Sequence, residues 1–282
     1  MIGGRAEDPD HGVELLWRGH EPEPRPGLSP SRIVRAAIEL ADAEGLDGLS
    51  MRKIAERLGF TTMSLYRHVP GRDQLVDLML DTVHGEVHPP AAAEEGWRAR
   101  LESCARSGWE LRRRHPWMAE VRGSRHVPGP NVIASYDHML STVAGTGLTP
   151  AQVIAAVNLV GRFVDAEART LVETARQERQ SGVSEQAWWG ARDTLYQRLD
   201  SYPTLTALWE EGGYDEPENP FEFGLARVLD GIEMLIASRS DEKRDETCSM
   251  CGKAMQQPTS GRPRVYCSRA CQQRAYRRRR DG

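Results

Sequence analysis

The sequence predicts an all-α fold: an N-terminal three-helix, helix-turn-helix head, a larger helical body, and a small cysteine-bearing C-terminal module. Three observations predict it. Apolar residues recur at helical spacing from Ile33 to Leu235, with no convincing alternating strand. Glycine and proline divide that run into helix-length pieces. After about residue 240 the apolar period gives way to four cysteines and a run of arginine. The length of 282 residues suits about two domains.

Residues 1–27 are acidic, contain Glu-Pro-Glu-Pro-Arg-Pro at Glu21 to Pro26, and show no sustained apolar period, so they are expected to form a disordered arm without a function of its own. Residues 28–83 then read as four short helices. Ser29 caps the first and Pro30 takes its first position, with Ile33, Ala37, Leu40 and Ala41 on one face until Gly45. Ser50 caps a second helix bearing Ile54 and Leu58, and Gly59 stands where a left-handed residue ends helices. A third helix follows after only Gly59, Phe60 and Thr61, with Leu65 and Val69 on a common face over residues 62–69. So tight a junction is a helix-turn-helix. Pro70 and Gly71 end it, and Arg72 to Val83 forms a fourth helix linking head and body.

The body, residues 84–240, is divided by breaks at His115-Pro116, Val127 to Pro130, Gly145 to Pro150 and Gly212 to Pro220. Its longest helix is expected from Thr149 and Pro150 to about Gln180, and another from Pro220 to about Ser238.

Charge is unevenly distributed. The net charge is -4, yet Cys248 to Arg280 holds nine Lys or Arg and no acid, leaving 28 basic against 41 acidic residues elsewhere. A basic block on an acidic chain suits a polyanion such as nucleic acid, an intramolecular acidic surface, or a solvated tail. No run of 18 or more apolar residues suggests a membrane span, and Met1 to Asp10 lacks the pattern of a secretion signal. A cytoplasmic location with reduced thiols follows as the expectation.

The second helix of a helix-turn-helix enters the major groove while flanking groups hold phosphates. With Leu65 and Val69 turned inward, Thr62, Met63, Ser64, Tyr66, Arg67 and His68 face outward or toward the edge. Arg67 can pair with a guanine, Thr62 with base or phosphate, and Met63 with a thymine methyl. Ser64, Tyr66, His68 and Arg72 fit phosphate anchoring, and Arg52 can reach backbone or base. The alternative is that Tyr66 and His68 only complete the packing of the bundle. Residues 28–80 balance seven basic against seven acidic side chains, so affinity would rest on a few placed contacts and on pairing of two heads.

Leu49-Ser50-Met51-Arg52-Lys53-Ile54-Ala55, Leu58-Gly59, Ser64-Leu65-Tyr66-Arg67-His68-Val69 and Arg72-Asp73-Gln74-Leu75 resemble the DNA-binding head of the tetracycline-repressor (TetR) family. The likeness covers about residues 30–83, and the body to about 238 resembles that family's ligand-binding and dimerisation region in length and layout. The resemblance implies a homodimeric repressor of double-stranded DNA, released from a palindromic operator by a small molecule. It places the dimer interface on the helices near 150–178 and 220–238, whose apolar stripes equally suit an internal core. Arg72 stands where Lys is frequent in the family, and Thr61-Thr62-Met63 identifies no operator. Trp109, His138 and Phe163 are the candidates for an effector cavity between helices, although such residues more often only pack.

The tail, residues 241–282, carries C-x2-C-x15-C-x3-C at Cys248, Cys251, Cys267 and Cys271. Gly252 eases a knuckle behind the second thiolate, and the last two cysteines fall on one face of a helix expected to begin near Cys267. Four thiolates close a tetrahedral shell without room for water, the pattern of one structural zinc per chain. A segment of about 34 residues lacks apolar surface to fold alone, so metal binding would supply the folding free energy. The tail loosely resembles treble-clef zinc modules through Tyr266-Cys267-Ser268; a thiol redox sensor or a protein-interaction adaptor is the alternative. Arg262, Arg264, Tyr266, Arg274 and Arg277 to Arg280 surround the site with cations and an aromatic. Cys104 reads as a buried apolar residue of the body. A closed all-cysteine shell and the lack of a nucleophile-base set argue against an enzyme.

Overall fold

The computed structural model describes residues 11–17, 27–87, 96–121, 126–215, 217–255 and 264–280. Among them the chain is helical, with one isolated antiparallel bridge, Thr247 to Ala254.

The first helix corrects the expectation of a disordered arm. α1 (His11–Trp17) is ordered against the body: Leu16 is buried, and Trp17 Nε1 donates to the carbonyl of Pro128 at 3.3 Å. Its partners, α5 and Pro128, are far along the chain, which local periodicity does not register. The rest of the arm, 1–10 and 18–26, lies outside the described residues.

The head comprises α2 (Pro30–Gly48), α3 (Met51–Leu58), α4 (Thr62–Tyr66) and α5 (Arg72–His84). Ser29 caps α2 through the Arg32 N–H, and Gly45 kinks its last turn at φ 72. Ser50 caps α3 through Lys53 N–H. Gly59 closes α3 with φ 74, its N–H on Glu56 O and the Phe60 N–H on Ala55 O, the paired bonds of a Schellman stop. α4 is shorter than the expected 62–69; one further turn carries the chain through His68 to Val69, whose N–H still reaches Leu65 O. Ile33, Ile54, Leu65, Val69, Leu75 and Met79 form the head core, which extends into the body through Leu111, Trp117 and Met118.

The body contains α6 (Trp97–Arg114), a 3₁₀ turn at Pro116–Glu120, α7 (Pro130–Val143), α8 (Pro150–Ser181), the short α9 (Glu185–Gly190), α10 (Asp193–Leu199) and α11 (Pro203–Glu210), and α12 (Pro220–Glu246). A Thr149–Gln152 capping box starts α8, and Gly182 at φ 68 ends it. Leu101, Val157, Val160, Val164, Phe221, Leu225, Leu229 and Ile232 form the second core, where α6, α8 and α12 pack together. Gly224 permits this approach, because a Cβ there would overlap the ring of Phe163, whereas Gly161 and Gly231 face open space. α12 does not stop near Ser238 but continues to Glu246, directly before the tail helix-and-knuckle module with α13 (Arg269–Arg280).

Candidate functional site

Three arrangements carry chemistry, one in each part of the chain. In the head, Leu65 and Val69 are fully buried and pin α4 to α2 and α3. The opposite side presents Met63, 71% exposed, and the exposed Tyr66 and Arg67, with Thr62 and His68 half-buried beside them. Thr61 caps α4 through the Ser64 N–H, and its hydroxyl lies 2.9 Å from Ser64 Oγ. Arg67 has no ion pair or side-chain hydrogen bond among the described residues. Arg52, exposed on α3, lies 3.7 Å from Glu56. Arg72 is engaged differently: its Nη2 donates to Leu46 O at 2.9 Å, bracing α5 against the end of α2.

α5 runs from this surface into the body. His84, at its far end, borders a cavity of about 350 Å³ between α5, α6, α7 and α8, also lined by Cys104, Arg112, Asn131, Tyr136, His138 and Met139. Burial disfavours the charged imidazolium, so the His84 pKa lies below its ordinary value although its ring Nδ1 sits 2.7 Å from Leu80 O. His138 Nε2 is buried without a hydrogen-bond partner among the described residues. Of the three expected cavity residues only His138 lines it. Trp109 and Phe163 both stack with Phe221 instead, with ring centroids 4.5 and 5.9 Å away, in an aromatic layer where α6, α8 and α12 meet. His84, Asn131 and Tyr136 were not singled out from sequence; their common destination depends on packing, and only the position of His84 at a helix end gave any sign. Cys104 is half-buried at the cavity wall.

The tail brings its four cysteines together as the spacing predicts. The sulfurs of Cys248, Cys251, Cys267 and Cys271 all lie within 4.8 Å of one another. Cys251 to Cys267 is 3.6 Å, Cys267 to Cys271 3.5 Å and Cys271 to Cys251 3.7 Å. Metal–sulfur bonds of about 2.3 Å in a tetrahedron give edges of roughly 3.8 Å, whereas a disulfide holds its sulfurs at about 2 Å. Gly252 at φ 68 turns the first knuckle, its N–H on Cys248 O at 2.8 Å. The helix begins at Arg269 rather than Cys267, so the turn through Ser268, whose Oγ accepts from the Cys271 N–H, brings the second pair together. Burial opposes ionisation of Cys248, but hydrogen bonds from surrounding groups bring its thiol down to about 6. Hydrogen bonding among the thiols, led by Cys271, pushes Cys267 up to about 12. Cys248 and Cys267 thus ionise unequally by themselves, and a cation bound among the sulfurs would favour thiolate ligands. Arg262 lies outside the described residues.

An exposed helix-turn-helix on a cavity-bearing helical body defines a DNA-binding transcriptional regulator. The comparisons with known proteins agree. Residues 33–79 match the bacterial regulatory proteins of the tetR family, and residues 89–236 the tetracyclin repressor-like C-terminal domain. The chain is 40% identical over 237 residues to the HTH-type transcriptional repressor DrrR1 of Streptomyces coeruleorubidus, covering 82% of this chain and 87% of that one. It is 29% identical over 211 residues to the class A tetracycline repressor from transposon 1721 of Escherichia coli, covering 73% and 90%. The TetR family protein ActR of Streptomyces coelicolor, solved in complex with actinorhodin, superposes with a TM-score of 0.61 at 30% identity, covering 73% of this chain and 96% of that one. The chain belongs to the TetR family.

Proposed function

We propose that the protein is a homodimeric repressor that reads a palindromic operator through α4 and leaves it when a small molecule fills the cavity behind α5. α5 carries this reading. One helix of 13 residues has Arg72, bonded to the end of α2, at one end and His84, on the cavity wall, at the other. A ligand that moves the cavity end therefore re-aims the head, provided it binds the displaced arrangement more tightly than the DNA-bound one. In this reading Thr62, Met63 and Arg67 contact bases, Ser64, Tyr66 and His68 hold phosphates with Arg52 at the edge, and Arg72 sets the angle of the head.

The cavity suits a largely apolar effector carrying oxygen or nitrogen groups for His84, Asn131 and His138. ActR bound to actinorhodin and repressors named for tetracycline support that class. Ile154, Leu159, Phe223 and Met234 are exposed on α8 and α12 and would be covered in a four-helix dimer interface. The tail holds one structural zinc through Cys248, Cys251, Cys267 and Cys271. No described helix is long and apolar enough to cross a membrane, which accords with a cytoplasmic regulator.

Selection of bound duplexes from a random pool with the full-length protein tests the proposal. The expected outcome is a two-fold symmetric site with half-sites about one helical turn apart. An asymmetric site, or a monomer bound to DNA in sedimentation, would overturn the dimeric reading.

A further inference from the structure

The tail is basic, and the packing of the body fixes where it stands. The C-terminal end of α6 faces the head, with Leu111 in the head core and His115 Nδ1 2.8 Å from Asp42 of α2. From there α12 runs antiparallel along α6: Glu222 pairs with Arg106, then Asp230 and Glu233 pair with Arg98 near the opposite end. Residues 98 to 111 of α6 span about 20 Å, and α12 continues past Glu233 for roughly another 20 Å before the tail begins. The cysteine module therefore leaves the body at the pole remote from the operator-reading surface.

Its helix has two unlike sides. Cys271 and Ala275 face the cysteine cluster, and Arg274 Nη2 donates to Cys271 Sγ at 3.3 Å. Arg269, Gln273, Tyr276 and Arg277 share an outward arc of about 100°. All four are exposed, Tyr276 by 70%. Neither arginine has an ion pair among the described residues. Arginine, glutamine and tyrosine on one rigid helix are the donors that hold a phosphate backbone, and no acid between Cys248 and Arg280 opposes the approach.

We propose that the cysteine-organised tail is a second DNA-binding element that grips the backbone of a duplex other than the operator, so that one molecule bridges two DNA segments. Duplex DNA is favoured as the occupant because the charge complementarity is to phosphate and the face shows no aromatic platform for unstacked bases beyond Tyr276. A duplex is stiff over about 150 base pairs, so the operator does not bend back along the body to reach the tail. The inference rests on the tail being folded by its metal and, for bridging alone, on the head binding an operator.

The test uses full-length protein with its metal content measured. The palindrome selected from random DNA is immobilised and saturated with protein, and a labelled 30-base-pair duplex of unrelated sequence is added. Wild type is expected to retain the second duplex. The combined Arg269→Glu, Arg277→Glu, Tyr276→Ala variant should retain it at least about tenfold less, with a log–log salt slope lower by about 2 and operator affinity unchanged. Undiminished retention by the variant overturns the proposal. A parallel loss of operator affinity would place the tail on the operator and also overturn it, as would stronger displacement of the second duplex by a single-stranded RNA of equal length. If no palindrome is selected, the head reading fails separately. Titrating wild type and variant with the unrelated duplex alone then decides the tail, with equal affinities overturning it.

Discussion

The carboxylate of Asp81 on α5 accepts the backbone N–H of Asn131 at 2.8 Å, and its Oδ1 also takes the Val132 N–H at 3.1 Å. The N-cap of α7 is Gly129, which offers no side-chain cap, so a residue of the linker helix caps a cavity helix. Asp81→Ala should cost about 2 kcal/mol in denaturant unfolding, since a buried cap and its charge-assisted bonds are lost together. Gly129→Ala should destabilise comparably, because a Cβ there would overlap the same carboxylate. An unchanged midpoint in both variants would show that α5 and α7 are not coupled here.

On α4, outward and inward side chains should separate cleanly. Arg67→Ala removes an exposed side chain, so unfolding should move by less than about 0.5 kcal/mol while operator affinity falls by about 1 to 3 kcal/mol and selectivity relaxes at one base pair. Leu65→Ala empties a fully buried site and should cost about 2 to 5 kcal/mol of stability. Unfolding and fluorescence-anisotropy titrations of the two variants distinguish these outcomes.

Much of the head was legible because its signals are local. Ser50 and Gly59 bracket α3 by their own backbone demands, and the four-residue spacing of Leu65 and Val69 sets which face of α4 is buried. The cysteine cluster was legible for a related reason, since short loops force near neighbours together. The cavity was not: His84, Asn131 and His138 come from α5 and α7, and helical period says nothing of which helices meet. Trp109 and Phe163 show the converse, aromatic residues of the expected type claimed by Phe221. The path of α12 away from the head was equally hidden, because its direction shows only in tertiary contacts such as Trp109 on Phe221 and the ion pairs with Arg106 and Arg98.

Gly224 should prove the sensitive glycine of the body. Gly224→Ala forces its Cβ against Phe163, and overpacking of this kind costs about 1 to 3 kcal/mol. Gly231→Ala, facing open space within α12, should be neutral or slightly stabilising through helix propensity. Thermal unfolding of the pair checks the contrast, and equal shifts would argue against close packing of α8 on α12.

His84 should make the cavity acid-sensitive. Its pKa is lowered by burial, so in acid the unfolded chain binds a proton that the folded chain resists. The stabilising difference is full above the unfolded value of about 6.5 and declines as pH falls from there through the lowered folded value. Wild type should lose stability over that window, before most carboxylates titrate, and His84→Gln should lose less. Denaturant midpoints measured between pH 7.5 and 5 test the difference, and parallel curves would exclude His84 as the source.

Metal removal should unfold the tail and spare the rest. Among the described residues the two cores contain none beyond Ile236, so their packing is built without the cysteine module. Among its described residues the module has a knuckle, one bridge and α13 around its buried Cys248 and Cys271, and a segment this short has too little apolar surface to stay folded without cross-links. Zinc-loaded protein should contain one zinc per chain by elemental analysis, and Cys248→Ser with Cys251→Ser should contain none. Chelation should melt α13 and open the backbone at its arginines to trypsin while leaving the main thermal transition in place. Mild oxidation separates this from a redox sensor: sulfurs held by metal resist disulfide formation, whereas rapid pairing with retained tail structure would identify a thiol switch. A main transition that falls with chelation would mean that the module braces α12, and the tail would then belong to the body rather than stand on it.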